Sequence, residues 1–213
     1  MGGACAPCPF FNPKKSKMIL TKDDIIGAIE KGDIVIDPMN FDAIGVNSVD
    51  LHLSPFIITL EDKHEDFMGN PEGIIDVRFP PDLTYKEIGA DGLILWPNRV
   101  YLASTTERTK TRKHVPIMHG KSSIARLGIS VHDAGFGDIG FEGHWTLELT
   151  VAQPVRVYAG IPICQLSFHE PKSLPTTNYL ERKASSYTTA WNDPKPQPSK
   201  LWQKLRGTEN PQQ

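Results

Sequence analysis

The sequence has few cysteines, no long apolar run and no surplus of either charge, and each shortage removes a class of protein. Three cysteines in 213 residues cannot build a disulfide framework. Cys5 and Cys8 form a lone CxxC ahead of any folded pattern, and no second ligand pair follows to complete a zinc site. Cys164 sits in an apolar strand pattern and reads as a packed side chain. No apolar run approaches the ~20 residues that span a bilayer, and the N-terminus lacks the apolar stretch of a secretion signal. The expectation is an intracellular, cytoplasmic protein with no membrane partner. Met1-Gly2 begins like a myristoylation signal, but Ala6 stands where Ser or Thr is expected. A net charge of −2 gives no broad basic face for nucleic acid, so any basic site is local.

Catalytic motifs are also missing. No His-x-Glu occurs, no Pro-Cys-x-x-Cys follows one, and the seven histidines show no HExxH spacing, which argues against zinc catalysis. Ser122 and Ser123 lack the GxSxG context of a nucleophilic serine.

What is abundant is punctuation. Eighteen prolines and 17 glycines separate short apolar runs, which predicts a mostly β protein of one domain: a barrel or double sheet with one real helix near the start. Residues 1–17 read as a disordered leader, 18–180 as the β domain, and 181–213 as a C-terminal lid or tail. Thr21 is a plausible N-cap, with Asp23 and Asp24 in the first turn and Gly32 as the stop. A strand covers Ile34–Ile36. Another covers Val46–Ser54, with Val49, Leu51 and Leu53 on one face and Asp50 and His52 on the other; Pro55 breaks it, and Phe56–Leu60 resumes. Glu61–Gly73 is a polar loop, and short apolar runs follow at Ile74–Phe79, Leu93–Trp96 and Val100–Ser104. Thr105–Lys113, rich in hydroxyls and bases, reads as a solvated loop. Val155–Tyr158 and Ile163–Phe168 close the β pattern, and Ser199–Leu205 is a short amphipathic piece.

The chemistry concentrates between Gly120 and Thr150. Lys121, Ser122, Ser123 and Arg126 put two hydroxyls and two cations where a helical turn begins, a set suited to a phosphate chain. The same serines could instead cap that turn, and Arg126 could pair with a surface acid. The glycines of Ala134–Gly143 allow close backbone approach to a ligand. His144–Val151 alternates, with Trp145, Leu147, Leu149 and Val151 on one face and Thr146, Glu148 and Thr150 on the other. Taken alone, Glu148 reads as a solvated residue on an outer face.

Together these segments resemble the central signature of the dCTP deaminase branch of the trimeric dUTPase superfamily: GKSSIARLG, VHDAGFGDIGFEG and WTLEL. ILTKDDIIGAI, NSVDLHLS, QPVRVYAGIPICQLSF and KPQPSKLW resemble its flanking segments in the right order, so the likeness spans residues 18 to 202. The resemblance implies a distorted antiparallel β-barrel or jelly roll, dUTPase-like, with a short N-terminal helix, assembled as a homotrimer with active sites between subunits. It implies Glu148 as general base, the Ala134 carbonyl as holder of the attacking water, and Arg126 as a charge-stabilising group. Lys121, Ser122, Ser123 and Arg126 would bind the triphosphate. Asp138 would contact the sugar 3′-hydroxyl and Phe141 would pack near the deoxyribose, with Gly135 a further substrate contact and Gln165, Tyr187 and Lys195 further phosphate contacts. Magnesium would come with the triphosphate, and no zinc is expected. His132-Asp133-Ala134-Gly135 is one residue shorter than in many relatives and lacks a threonine, beside the base and the region that responds to dTTP as inhibitor. The expected reaction is deamination of dCTP to dUTP and ammonia. The alternatives are a bifunctional enzyme giving dUMP and pyrophosphate, and a non-catalytic nucleotide-binding trimer that regulates a partner.

Overall fold

The computed structural model of the chain describes residues 18–60, 75–132, 136–182, 187 and 193–206. The expected leader, the polar loop Glu61–Gly73, Ala134 and Gly135 lie outside the described residues. The chain opens with helix α1 (Lys22–Glu30). The Asp24 carboxylate accepts from the Thr21 hydroxyl (3.0 Å) and more weakly from its N–H (3.3 Å), which fixes the N-terminus as the sequence predicts. Gly32, at φ 69°, ends the helix.

Strands β1 (Ile34–Asp37), β2 (Val49–Leu60), β3 (Leu83–Glu87), β4 (Leu93–Leu95), β5 (Tyr101–Thr111), β6 (Val115–Gly120), β7 (Ile129–Val131), β8 (Glu142–Val151), β9 (Val155–Val157) and β10 (Pro162–His169) follow. The described pairings are antiparallel, in the order β6-β10-β2-β5-β8-β7, with β1 against β5, β3 against β2, and β4 with β9 in a small separate sheet. β6 and β7, at opposite ends of that order, are joined by the one-turn helix α2 (Ser122–Ala125). A Cβ built on Gly120 would lie 3.8 Å from the Val131 side chain, so the two ends meet and the sheet is a nearly closed barrel. Leu51, Leu53, Leu147, Leu149, Ile163, Leu166 and Phe168, all 0 % exposed, form its core.

Two expectations fail for physical reasons. Pro55 does not break β2. It sits where the β2–β5 register shifts between Leu53 and Ile57, a bulge that tolerates a residue without N–H, while its carbonyl still accepts from Ile88 N–H at 2.8 Å. Thr105–Lys113 is no loop: through Thr111 it is the second half of β5, with Thr105, Glu107, Thr109 and Thr111 buried. Their polar atoms are largely satisfied inside. Thr105 Oγ1 donates to Glu107 O (2.7 Å) and accepts from Trp145 N–H (3.0 Å), and Thr109 Oγ1 accepts from the Trp145 indole (2.8 Å). The Glu107 carboxylate takes the His52 N–H (2.8 Å) and faces its Nδ1 at 2.5 Å. The described part of the apolar run at Ile74–Phe79 lies outside the strands, and the next strand along the chain, β3, pairs with β2. Cys164 is buried as expected, and burial pushes its thiol pKa up.

Candidate active site

β8 carries the carboxylate. Its alternation is the expected one, with Trp145, Leu147, Leu149 and Val151 turned into the core. The opposite face is not bathed in water, because the C-terminal segment crosses it. Gln197 N–H donates to Thr146 Oγ1 at 2.9 Å, and Ser104 Oγ donates to Pro194 O. Ahead of helix α3 (Leu201–Arg206), this segment closes a pocket of about 360 Å³ over Glu148, bounded also by Leu102, Phe79, Leu83, Tyr187 and Trp202. Leu102 is the register partner of Glu148 on β5.

In that pocket Glu148 Oε2 is buried with no hydrogen-bond partner. Burial is the main cause that lifts its pKa above the ordinary carboxylate value; its own backbone N–H and the charge of His132 pull weakly the other way. His132 is tied to the same strand, its N–H donating to Glu148 O (2.9 Å) and its Nε2 facing Thr150 Oγ1 (3.2 Å). A desolvated carboxylate with an unsatisfied oxygen is a proton acceptor prepared for a ligand's proton or for water. The solvated outer-face reading of Glu148 is therefore corrected.

The phosphate-type residues lie elsewhere. Lys121, at the N-cap of α2, makes no side-chain cap; its ammonium is paired with the Asp50 carboxylate, both about three-quarters buried. Ser122, Ser123 and Arg126 are exposed on the α2 turn, whose amides bond back to Lys121 and Ser122 carbonyls. The turn is anchored to the end of β8 by Ala152 N–H on Gly128 O (2.8 Å) and by Gln153 Nε2 on Leu127 O (3.3 Å). None of these four residues lines the Glu148 pocket.

Asp138 and Phe141 part company. Asp138 is exposed and lines a second pocket, of about 450 Å³, with Phe136, Asn178, Tyr179 and Arg182. Phe141 turns inward, its ring 4.9 Å from Trp145 and 5.6 Å edge-on to Tyr179. The turn that carries them is tight: Gly140 has φ 89°, and a Cβ on Gly137, just before Asp138, would sit 2.5 Å from Pro116 and Trp145 side-chain atoms. Gln165 faces Ser48, whose hydroxyl donates to Gln165 Oε1 at 3.4 Å. Lys195 reaches over the Phe56 ring at 5.8 Å, and Tyr187 lines the Glu148 pocket with Lys200 over its ring at 5.2 Å. Among the described residues no group of three or more His, Cys, Asp or Glu could hold a metal, and no helix is long and apolar enough to cross a membrane. Sequence reading missed Leu102, Tyr179 and Trp202; a tryptophan in a thinning tail was the available signal for the last.

A nearly closed antiparallel barrel with an enclosed carboxylate on one strand and an exposed hydroxyl-and-cation turn on the next defines a distorted β-barrel class. Its fold is that of the solved 2'-deoxycytidine 5'-triphosphate deaminase from Agrobacterium tumefaciens, at a TM-score of 0.54 and 22% identity over 76% of this chain. The chain spans about half of that structure's chain, 51%. The family model of dCTP deaminase-like proteins matches residues 19–171, and the chain belongs to that family. A relative from Clostridium acetobutylicum named "dCTP deaminase, dUMP-forming" is 40% identical over 154 residues, covering 72% of this chain and 83% of the relative. One of the same name from Leptospira biflexa is 41% identical over 153 residues, 71% of this chain and 82% of that protein.

Proposed function

We propose that the protein is a bifunctional dCTP deaminase that converts dCTP to dUMP, ammonia and pyrophosphate, working as a homotrimer with sites between subunits. The observation that carries the deaminase half is the enclosed, unpartnered carboxylate of Glu148. The dUMP-forming alternative gains over release of dUTP because both relatives above carry that name. The exposed Ser122, Ser123 and Arg126, apart from the pockets of Glu148 and Asp138, support a site completed by a second copy.

In this reading cytosine enters beside Glu148. The carboxylate takes a proton from water as its oxygen bonds to C4, and the proton passes to N3. The hydroxyl proton on the tetrahedral C4 then passes by way of Glu148 to the amine, the C4–N bond breaks and ammonia leaves, giving the C4 carbonyl of uracil. The pKa raised by burial gives the carboxylate the basicity that no zinc-bound hydroxide is required to supply. Arg126 and the two serine hydroxyls of another copy hold the triphosphate. Asp138 contacts the sugar and orients a second water that attacks the α-phosphate, breaking its bond to the bridging oxygen and releasing pyrophosphate. Magnesium would come with the triphosphate, held by its oxygens, and would offset its charge. Feedback by dTTP would act at the same site.

The test is incubation of the purified protein with dCTP and magnesium, with products resolved by ion exchange. dUMP and pyrophosphate in equal amounts support the proposal. dUTP without pyrophosphate reduces it to a deaminase alone, and unreacted dCTP on a protein that still binds it favours the regulatory reading.

A further inference from the structure

We infer that Leu102 is a positioning residue for the reaction proposed above: set directly across from Glu148 on the neighbouring strand, its hydrocarbon keeps water and donors from the carboxylate and so sets its strength as a base. This rests on the deaminase half of that reading. The placement follows from strand register. Residues paired across an antiparallel ladder share a face, with Cβ atoms roughly 5 Å apart. Glu148 pairs with Leu102 on β5, and Leu102 pairs in turn with Ile58 on β2. On the other side His132, just past β7, donates its N–H to Glu148 O at 2.9 Å. One row therefore crosses the sheet, and Glu148 stands in it between an imidazole and hydrocarbon. Ile58 is 0 % exposed, so the row behind Leu102 is dry.

The hydroxyls on this face are engaged elsewhere. Ser104 Oγ donates to Pro194 O, Thr146 Oγ1 accepts from Gln197 N–H (2.9 Å), and Thr150 Oγ1 faces His132 Nε2 (3.2 Å). Glu148 Oε2 is left buried without a partner. Charged and titratable neighbours are few. His132 acts on Glu148 from the β7 side, and Tyr187 lines the pocket with Lys200 over its ring. Among the described residues the lining holds no other acid or base. Burial outweighs the pull of His132, in keeping with the direction in which the carboxyl is moved. Of the apolar residues around the pocket, Leu102 is the one borne by a strand paired with β8; Phe79, Leu83 and Trp202 belong to segments that do not pair with it. A group fixed by the ladder stays beside the carboxylate when substrate displaces looser walls.

Leu102→Asn puts an amide donor opposite Oε2, and Leu102→Met keeps hydrocarbon of similar volume. The measurement is the pH dependence of kcat/KM for dCTP, set beside wild type under the same conditions so that titration of the substrate is common to both. For Leu102→Asn the acid-side midpoint should move down by about one pH unit, with the plateau lowered roughly threefold as the base weakens. For Leu102→Met the midpoint should stay within about 0.3 unit of wild type. A Leu102→Asn protein that loses melting temperature and plateau rate with its midpoint unmoved makes Leu102 merely structural and overturns the inference. So does a Leu102→Met protein whose midpoint falls as far as that of Leu102→Asn. If Leu102→Asn does not fold, Leu102→Val, which admits water, should lower the midpoint by roughly half a unit, and no shift there overturns the inference as well. The infrared band of a protonated carboxyl that disappears in Glu148→Gln gives the same titration without substrate. If the wild type does not deaminate dCTP, the proposed function fails on its own. That band still judges Leu102, with equal midpoints in wild type and variant counting against it.

Discussion

Glu148 and Arg126 are the two most chemically explicit residues in the chain, and the fold treats them in opposite ways. Glu148 is enclosed by β5, the segment before α3 and its own strand, with one oxygen unpartnered and its pKa raised by burial. Arg126 stands on an exposed one-turn helix, with no ion-pair partner among the described residues. Its neighbour Lys121 is already paired with Asp50. One chain therefore encloses the carboxylate expected to move protons and leaves the hydroxyls and cation expected to bind an anion open to solvent. A charged donor in water contributes little until something excludes that water, so the open half gains its strength only when another copy or a ligand covers it.

The sharpest way to break the comparison is Glu148→Gln, which keeps shape and removes basicity. Deamination should fall by about 10³-fold or more while dCTP binding, followed by equilibrium dialysis, changes little. Arg126→Ala comes next, with kcat/KM for dCTP down roughly 100-fold and KM carrying much of the loss. Asp138→Asn should leave deamination within about tenfold and turn the product from dUMP to dUTP on the ion-exchange column. Lys121→Ala should cost no more than about fivefold in KM, because Asp50 already neutralises the ammonium; a loss equal to that of Arg126→Ala would mean that the pair opens for substrate.

The same contrast has a stability signature. The pKa of Glu148 in the folded protein lies above its ordinary 4.5, so between those two values the folded state binds more protons than the unfolded chain. Stability conferred by the protonated form is lost as pH rises through that window. Glu148→Gln should melt with the wild type at pH below 4.5 and slightly above it near neutrality, read by calorimetry. Activity has the opposite dependence, rising with pH through the same window as the base ionises.

Much of this was legible in the sequence where periodicity and chemistry coincide. The alternation from Trp145 to Val151 fixed both the strand and the face that carries Glu148, and Thr21 with Asp24 marked the helix start. Legibility failed where polar residues go inside. Thr105, Thr109 and Glu107 read as a solvated loop because composition cannot show that Trp145 and His52 supply their partners. Pro55 read as a break because a bulge is a property of the strand pair, not of the residue. The enclosure of Glu148 depends on contacts some 50 residues away, Gln197 on Thr146, which no local pattern contains. The roles expected of Gln165 and Lys195 rest on resemblance; in this chain they face Ser48 and Phe56.

The most direct test of a site shared between copies is complementation. Glu148→Gln and Arg126→Ala chains, each at about a hundredth of wild-type activity or less at dCTP well below KM, are unfolded together at equal amounts, refolded and assayed at that concentration. If each site takes its base from one copy and its arginine from another, roughly a quarter of the sites in random trimers hold both, and activity returns to about that share of wild type. If base and arginine act within one chain, every site keeps one defect, and the mixture stays as inactive as its parts.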